Sequence, residues 1–222
     1  MKIIVPIILL NLITLYFAKS DTIAPTGYKK VFSEKFQEEP LGELSDNFLI
    51  LDGKFKIVAE AKGNKCAELS AEPLGDHGFL FGDYLESNIR VRCKILARKK
   101  RRSYPSFGVG IHGIGGYQFR VSPAKRKVEI LFEEEVVASN DYRWMSANKW
   151  ASLEITLYQN NDDDTWKIEG FIWESSKERP KKPIISLTTK EEPFGGESSV
   201  FGTAYSGLPI LFDDLQIYLL KE

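Results

Sequence analysis

With only two cysteines and two histidines in 222 residues, the chain offers little for redox or transition-metal chemistry. Cys66 and Cys93 have no histidine close by, so no zinc-binding spacing occurs. His-Glu-x-x-His, Gly-x-Ser-x-Gly and the phosphate-binding glycine loop are absent. Neither sign of charge dominates: 30 basic residues face 31 acidic ones, a net −1. That balance makes no global case for nucleic acid. No segment has the period of an amphipathic helix, and no internal repeat is present. The longest apolar run, Ile3 to Phe17, falls short of the roughly 20 residues that span a bilayer.

That short run fits a secretory leader instead. Lys2 supplies the charged start, and Ala18 and Ser20 are small residues before a cut at Asp21. The expected division is a signal peptide over 1–20 and a single β-sandwich domain over 21–222. The mature chain then carries 28 basic and 31 acidic residues, net −3. Its expected location is outside the cell, in the periplasm or in the cell envelope. No stable membrane insertion is expected after removal of the leader. In such a compartment Cys66 and Cys93 are able to pair, provided their Cα atoms lie within about 7 Å. Cys93 alternates with Val91 and Ile95 and so faces the core.

What the chain has in quantity is alternation. Between Ser106 and Phe132 it reads SFGVGIHGIGGYQFRVSPAKRKVEILF. Phe107, Val109 and Ile111 alternate with small or polar residues, as do Tyr117, Phe119 and Val121. A register pairing Val109 with Phe119 and Ile111 with Tyr117 keeps one face wholly apolar. The other face then carries Gly108, Gly110, His112, Gln118 and Arg120. Glycines there leave backbone that a ligand can approach closely, or they ease bending of the sheet. Strand-like segments recur along the rest of the chain. Phe48–Leu51 and Lys54–Ala59 flank Asp52-Gly53, a hairpin dipeptide. Arg98–Arg102 reads as a solvated hairpin tip. Trp150–Tyr158 and Thr165–Trp173 form a hairpin about the acidic loop Asn160–Asp164. Ten or more such strands predict an all-β fold of two antiparallel sheets, five to seven strands each.

Arg90, Arg92 and Lys94 alternate with core residues of one strand, and Arg120 does so in the central hairpin. If those strands share a sheet, the common face is positive and favours uronate or sulfate groups. Tyr158 and Trp173, also on outward faces, are the right kind of surface for stacking on sugar rings. His112 is read first as a hydrogen-bond donor, with a catalytic base or a mere strand end as alternatives. Asp213 lies among Leu211, Leu215, Ile217 and Leu219, and a carboxylate on an apolar face needs a partner. Calcium, a basic side chain or backbone N–H groups are the candidates. Glu129, Glu154 and Glu169 are outward carboxylates without a visible pairing.

FSEKF, LDGKFKI, the Asn88–Ala97 strand, GGYQFRV, KWASLEI and LFDDLQIY follow one another in an order that resembles the concanavalin A-like lectin/glucanase jelly roll. The nearest likeness is to the bacterial 3-keto-disaccharide hydrolase group, over roughly Tyr28 to Leu220. The resemblance implies two curved antiparallel sheets with carbohydrate on the concave face. It also implies a structural calcium beside Asp213. The glucanases' Glu-x-Asp-x-Glu triplet is missing, and His112 stands about where the hydrolase group has an arginine. The expected function is therefore an exported carbohydrate-binding protein without catalysis. Its expected ligand residues are Arg90, Arg92, His112, Gln118, Arg120, Tyr158 and Trp173, with no catalytic residue and a poly- or oligosaccharide as partner, acidic ones bound more tightly than neutral ones. A glycoside or 3-keto-glycoside hydrolase, and an envelope interaction module, are the alternatives.

Overall fold

The structure is a computed structural model that describes residues 27–144, 147–160 and 164–220. The expected leader, and Asp162 and Asp163 of the acidic loop, lie outside the described residues. The strands in chain order are β1 (Tyr28–Glu34), β2 (Gly42–Glu43), β3 (Leu49–Asp52), β4 (Phe55–Ala59), β5 (Lys65–Leu69), β6 (His77–Leu85), β7 (Ile89–Ala97), β8 (Ser106–Gly110), β9 (Gln118–Ser122), β10 (Lys127–Phe132), β11 (Glu135–Asp141), β12 (Ala151–Asn160), β13 (Thr165–Glu174), β14 (Ile185–Thr189), β15 (Gly196–Thr203) and β16 (Ile210–Leu220). One short 3₁₀ turn, Ala61–Gly63, is the sole helical element among the described residues.

These strands build a two-sheet antiparallel jelly-roll sandwich. Nine strands run β14-β13-β12-β7-β16-β5-β4-β2, with β1 added on β16. Seven run β11-β10-β9-β8-β15-β6-β3. The nine-stranded sheet is larger than the expected five to seven. Period-two patterning explains the packing: inward side chains of both sheets meet in one core. Phe79 is its centre, within 6.3 Å ring-centroid distances of Phe48, Phe55, Phe81 and Phe212. All five rings are buried, and each contributes about 1.5–3 kcal/mol by leaving water. Gly170 makes room here, because a Cβ on it would come 2.6 Å from the Phe119 ring.

The central hairpin has the expected register. Val109 faces Phe119, Phe107 faces Val121, and the Ile111 N–H donates to the Tyr117 carbonyl. Two expected hairpins are instead crossings between sheets. β3 belongs to the seven-stranded sheet and β4 to the nine-stranded one, so Asp52-Gly53 turns the chain from one layer to the other. Gly53, at φ +94°, is needed there in either case. Likewise the loop with Arg98–Arg102 carries the chain from β7 to β8 across the sandwich. A bulge in β16 accounts for a third difference. Asp213 faces Lys94 but Gln216 faces Arg92, so one extra residue sits between them, with Asp214 at φ +50°. Inward positions change parity at this point: Ile210 and Phe212 before it, Leu215 and Ile217 after it. Leu211 and Asp213 therefore lie on the outer side, and Leu211 joins Cys66 and Leu96 in a small separate cluster.

Candidate functional site: a groove on the seven-stranded sheet

One row of residues crosses the outer face of the seven-stranded sheet. In register it runs Asp52, Gly78, Phe201, Gly108, Arg120, Glu129 and Ser139. Phe201 thus stands between two glycines. A Cβ on Gly108 would lie 2.3 Å from the Phe201 ring, and one on Gly78 3.1 Å from its Cβ. The Gly108 backbone is covered by the protein's own aromatic ring, which lies down across the sheet where side chains are missing. The next row includes Ser199, Gly110, Gln118 and Leu131.

Together these rows floor a groove of about 520 Å³. Its walls come from loops and strand ends, including Leu51, Asp76, His77, Ile114 and Glu134. Polar groups in it are held firmly. Arg120 Nε donates to Glu129 Oε2 at 2.9 Å, and Ser122 Oγ donates to the same oxygen at 2.8 Å. Burial alone would raise the Glu129 carboxyl. The Ser122 and Arg120 hydrogen bonds and the Arg120 and Lys125 charges outweigh it and hold the group below the usual carboxylate range. His77 Nδ1 lies 3.1 Å from Asp52 Oδ2, and its Nε2 lies 2.9 Å from the Pro73 carbonyl oxygen. The ring thereby ties the Asp52-Gly53 crossing to the Pro73–Gly75 loop. Thr203 donates its hydroxyl to Asp76.

Of the expected ligand residues, Gln118 and Arg120 line this groove. His112 does not share their face. It lies past the end of β8 at φ +67°, buried, against the Glu86 backbone and the start of β15. Burial pushes its imidazole down to about 4, partly opposed by the Glu86 backbone. Arg90, Arg92, Tyr158 and Trp173 are on the opposite side of the sandwich, on the nine-stranded sheet. The common positive face expected for Arg90, Arg92, Lys94 and Arg120 is not formed, because β7 and β9 are in different sheets. Phe201, Asp52, Asp76 and His77 were not among the expected residues. Phe201 had one signal, its alternation with the inward Val200 and Gly202.

Around Glu154 the nine-stranded outer face is occupied by its own contacts. Glu154 is fully buried and receives two arginines in forked geometry: Arg92 at 2.9 and 2.5 Å and Arg179 at 2.8 and 2.5 Å. Arg90 Nε lies 3.3 Å from the same carboxylate. Their guanidinium planes lie over aromatic rings, Arg90 on Tyr28 at 3.7 Å and Arg179 on Phe171 at 3.8 Å. Arg92 lies 5.2 Å from the Trp173 ring centroid.

Asp213 is engaged by its own neighbours. Its carboxylate accepts from the Asp214 N–H at 2.6 Å and from Asn64 Nδ2 at 3.1 Å. Burial raises its carboxyl above the usual value, against those two bonds. The adjacent Asp214 is held by the Lys94 ammonium at 2.9 Å. Among the described residues no three acidic, His or Cys side chains converge as metal ligands. Two carboxylates with an ammonium beside them do not fit a cation that takes six to eight oxygens. Cys66 and Cys93 are both free and face opposite sides of their sheet. Burial raises both thiols, Cys66 to about 12.

No protein-family model matches the chain, and no curated protein matches it. Solved structures do. A Bacillus subtilis protein of unknown function with a galectin-like fold superposes with a TM-score of 0.58 at 8% identity, covering 88% of this chain and 100% of that one. The carbohydrate recognition domain of Emp47p gives 0.51 at 11% identity, covering 88% and 98%. Arcelin-5, a lectin-like defence protein from Phaseolus vulgaris, gives 0.50 at 8%, covering 86% and 97%. At these identities the likeness is one of fold, a lectin-like jelly roll.

Proposed function

We propose that this protein is an exported, non-catalytic carbohydrate-binding jelly roll that seats a neutral stretch of a poly- or oligosaccharide across the seven-stranded sheet. The observation that carries the reading is Phe201, a partly exposed ring lying between two glycines on the floor of a 520 Å³ groove. A flat apolar ring flanked by fixed polar groups matches a pyranose, which has an apolar C–H face and a rim of hydroxyls. Arg120 and Gln118 supply donors, and Asp52, Asp76 and Glu134 supply acceptors. Those three carboxylates face a single arginine, itself paired with Glu129, so the groove favours uncharged sugar over uronate. Solved structures of a lectin-like protein and a carbohydrate recognition domain with the same fold support the class of ligand. Export rests on the sequence of residues 1–20, and sequencing the N-terminus of secreted protein should begin at Asp21.

Non-catalytic binding is favoured because hydrolysis needs two suitably poised carboxyls, one of them protonated. Glu129, the most engaged carboxylate on the face, is instead held ionised and ion-paired. The test is a glycan array with wild type and Phe201→Ala. Wild type should bind one class of neutral glycan, and the variant about ten-fold more weakly. Retention of full affinity by Phe201→Ala would place the ligand elsewhere. Release of reducing ends or of 3-keto sugar would establish the hydrolase related to the bacterial 3-keto-disaccharide group instead.

A further inference from the structure

A second cavity, of about 550 Å³, opens at one end of the same sandwich. Three separate loops line it. Lys99 and Arg102 come from the β7–β8 crossing, Arg126 from the β9–β10 turn, and Arg143 from the segment after β11. No carboxylate among the described residues lines it. Among the described residues none of these four cations forms an ion pair; the basic neighbours Arg98, Lys125 and Lys127 are the ones held by Glu60, Glu129 and Asp141. The convergence is built, since the Tyr142 N–H donates to the Arg126 carbonyl and so joins two of the three loops. Trp144 packs edge-on to Phe107 at 5.1 Å and forms part of the lining. It is more than nine-tenths buried, yet among the described residues its indole N–H has no hydrogen-bond partner.

Four cations from distant points of the chain, drawn together without a counter-charge, repel one another. An oxyanion relieves that repulsion, and arginine presents paired donors to sulfate or carboxylate. Position decides what carries the anion. A smaller cavity shares Asp76 and Arg120 with the groove, and Tyr104, Pro123 and Ala124 with the basic cavity. The three form a continuous track from the Phe201 platform to the cationic end. We infer that this basic cavity binds an anionic substituent, a sulfate ester above all, on the same glycan whose neutral part occupies the groove. This rests on the carbohydrate reading. Lys99 and Arg102 of the Arg98–Arg102 run, a solvated tip in the sequence, become one wall of a specificity subsite.

The test pairs each sulfated polysaccharide with its chemically desulfated form. It compares wild type, Phe201→Ala and the triple variant Arg102→Ala/Arg126→Ala/Arg143→Ala. All three arginines are exposed, so the fold should survive. Wild type should prefer a sulfated form by about ten-fold at low salt, and the preference should collapse near 0.5 M salt, where screening acts within about 4 Å. The triple variant should lose the preference but keep desulfated binding. Phe201→Ala should weaken both forms and keep their ratio. An unchanged ratio in the triple variant overturns the inference while leaving the groove reading intact. If sulfated probes bind through the arginines and Phe201→Ala changes nothing, the groove reading fails and the shared-glycan inference fails with it. Binding of phosphoinositide vesicles without any sulfated-glycan preference would overturn it in favour of a lipid headgroup.

Discussion

Glu154 shows how little of a charged residue's role depends on its own position in a strand. By alternation it is one more outward glutamate, and outward glutamates are usually solvated. Here it is fully buried, with three guanidinium groups around one carboxylate. Removing it leaves those cations facing one another. Glu154→Ala should cost about 3–5 kcal/mol, the scale for an orphaned buried charge cluster. Arg179→Ala should cost much less, about 1 kcal/mol, because its side chain keeps a quarter of its exposure. Urea unfolding of both variants checks the ordering. Equal effects would mean that Glu154 anchors only the loop of Arg179. The sequence revealed the Val109–Phe119 register because one face of that hairpin had to be apolar. It could not reveal the Arg–Glu cluster, or the row through Phe201, because both require strands far apart in sequence to be neighbours.

At the scale of elements, local chemistry was legible and destination was not. Asp52-Gly53 has the glycine that a tight turn needs, yet such a turn serves a hairpin or a change of sheet equally well. The common positive face was lost on the same point: β7 and β9 alternate correctly but belong to opposite layers. In β16 a single inserted residue moves Asp213 off the core side, and no periodicity count over LFDDLQIY contains that insertion. The consequence is measurable. Since Lys94 occupies the position beside Asp214, calcium and chelator should leave the thermal midpoint unchanged. Asp213→Asn should alter stability by no more than about 1 kcal/mol, because its amide oxygen still accepts one bond and the buried charge is gone. A calcium-dependent rise in the midpoint, absent from Asp213→Asn, would establish a metal site there.

The whole molecule has two outer faces of different character. One carries a cluster of ion pairs over aromatic rings about Glu154; the other holds a groove leading to a basic end. The seam between β8, β6 and β15 holds His112, and this gives the fold a pH response separate from ligand binding. In the unfolded chain the imidazole titrates near 6.5. In the fold it stays neutral down to about 4. Between those values the unfolded state binds a proton that the folded state refuses, so stability falls as pH falls through that window. Glu129 has the same sign, but its loss comes lower, below the usual carboxylate range. Asp213 has the opposite sign, since its raised carboxyl favours the folded state as acid is added above its usual value. His112→Gln cannot titrate, so it should flatten the decline in unfolding free energy between pH 6.5 and about 4. The steeper acid loss below that should remain. Chemical denaturation at stepped pH measures both limbs, and an unchanged slope above pH 5 in the variant would show that another group governs the transition.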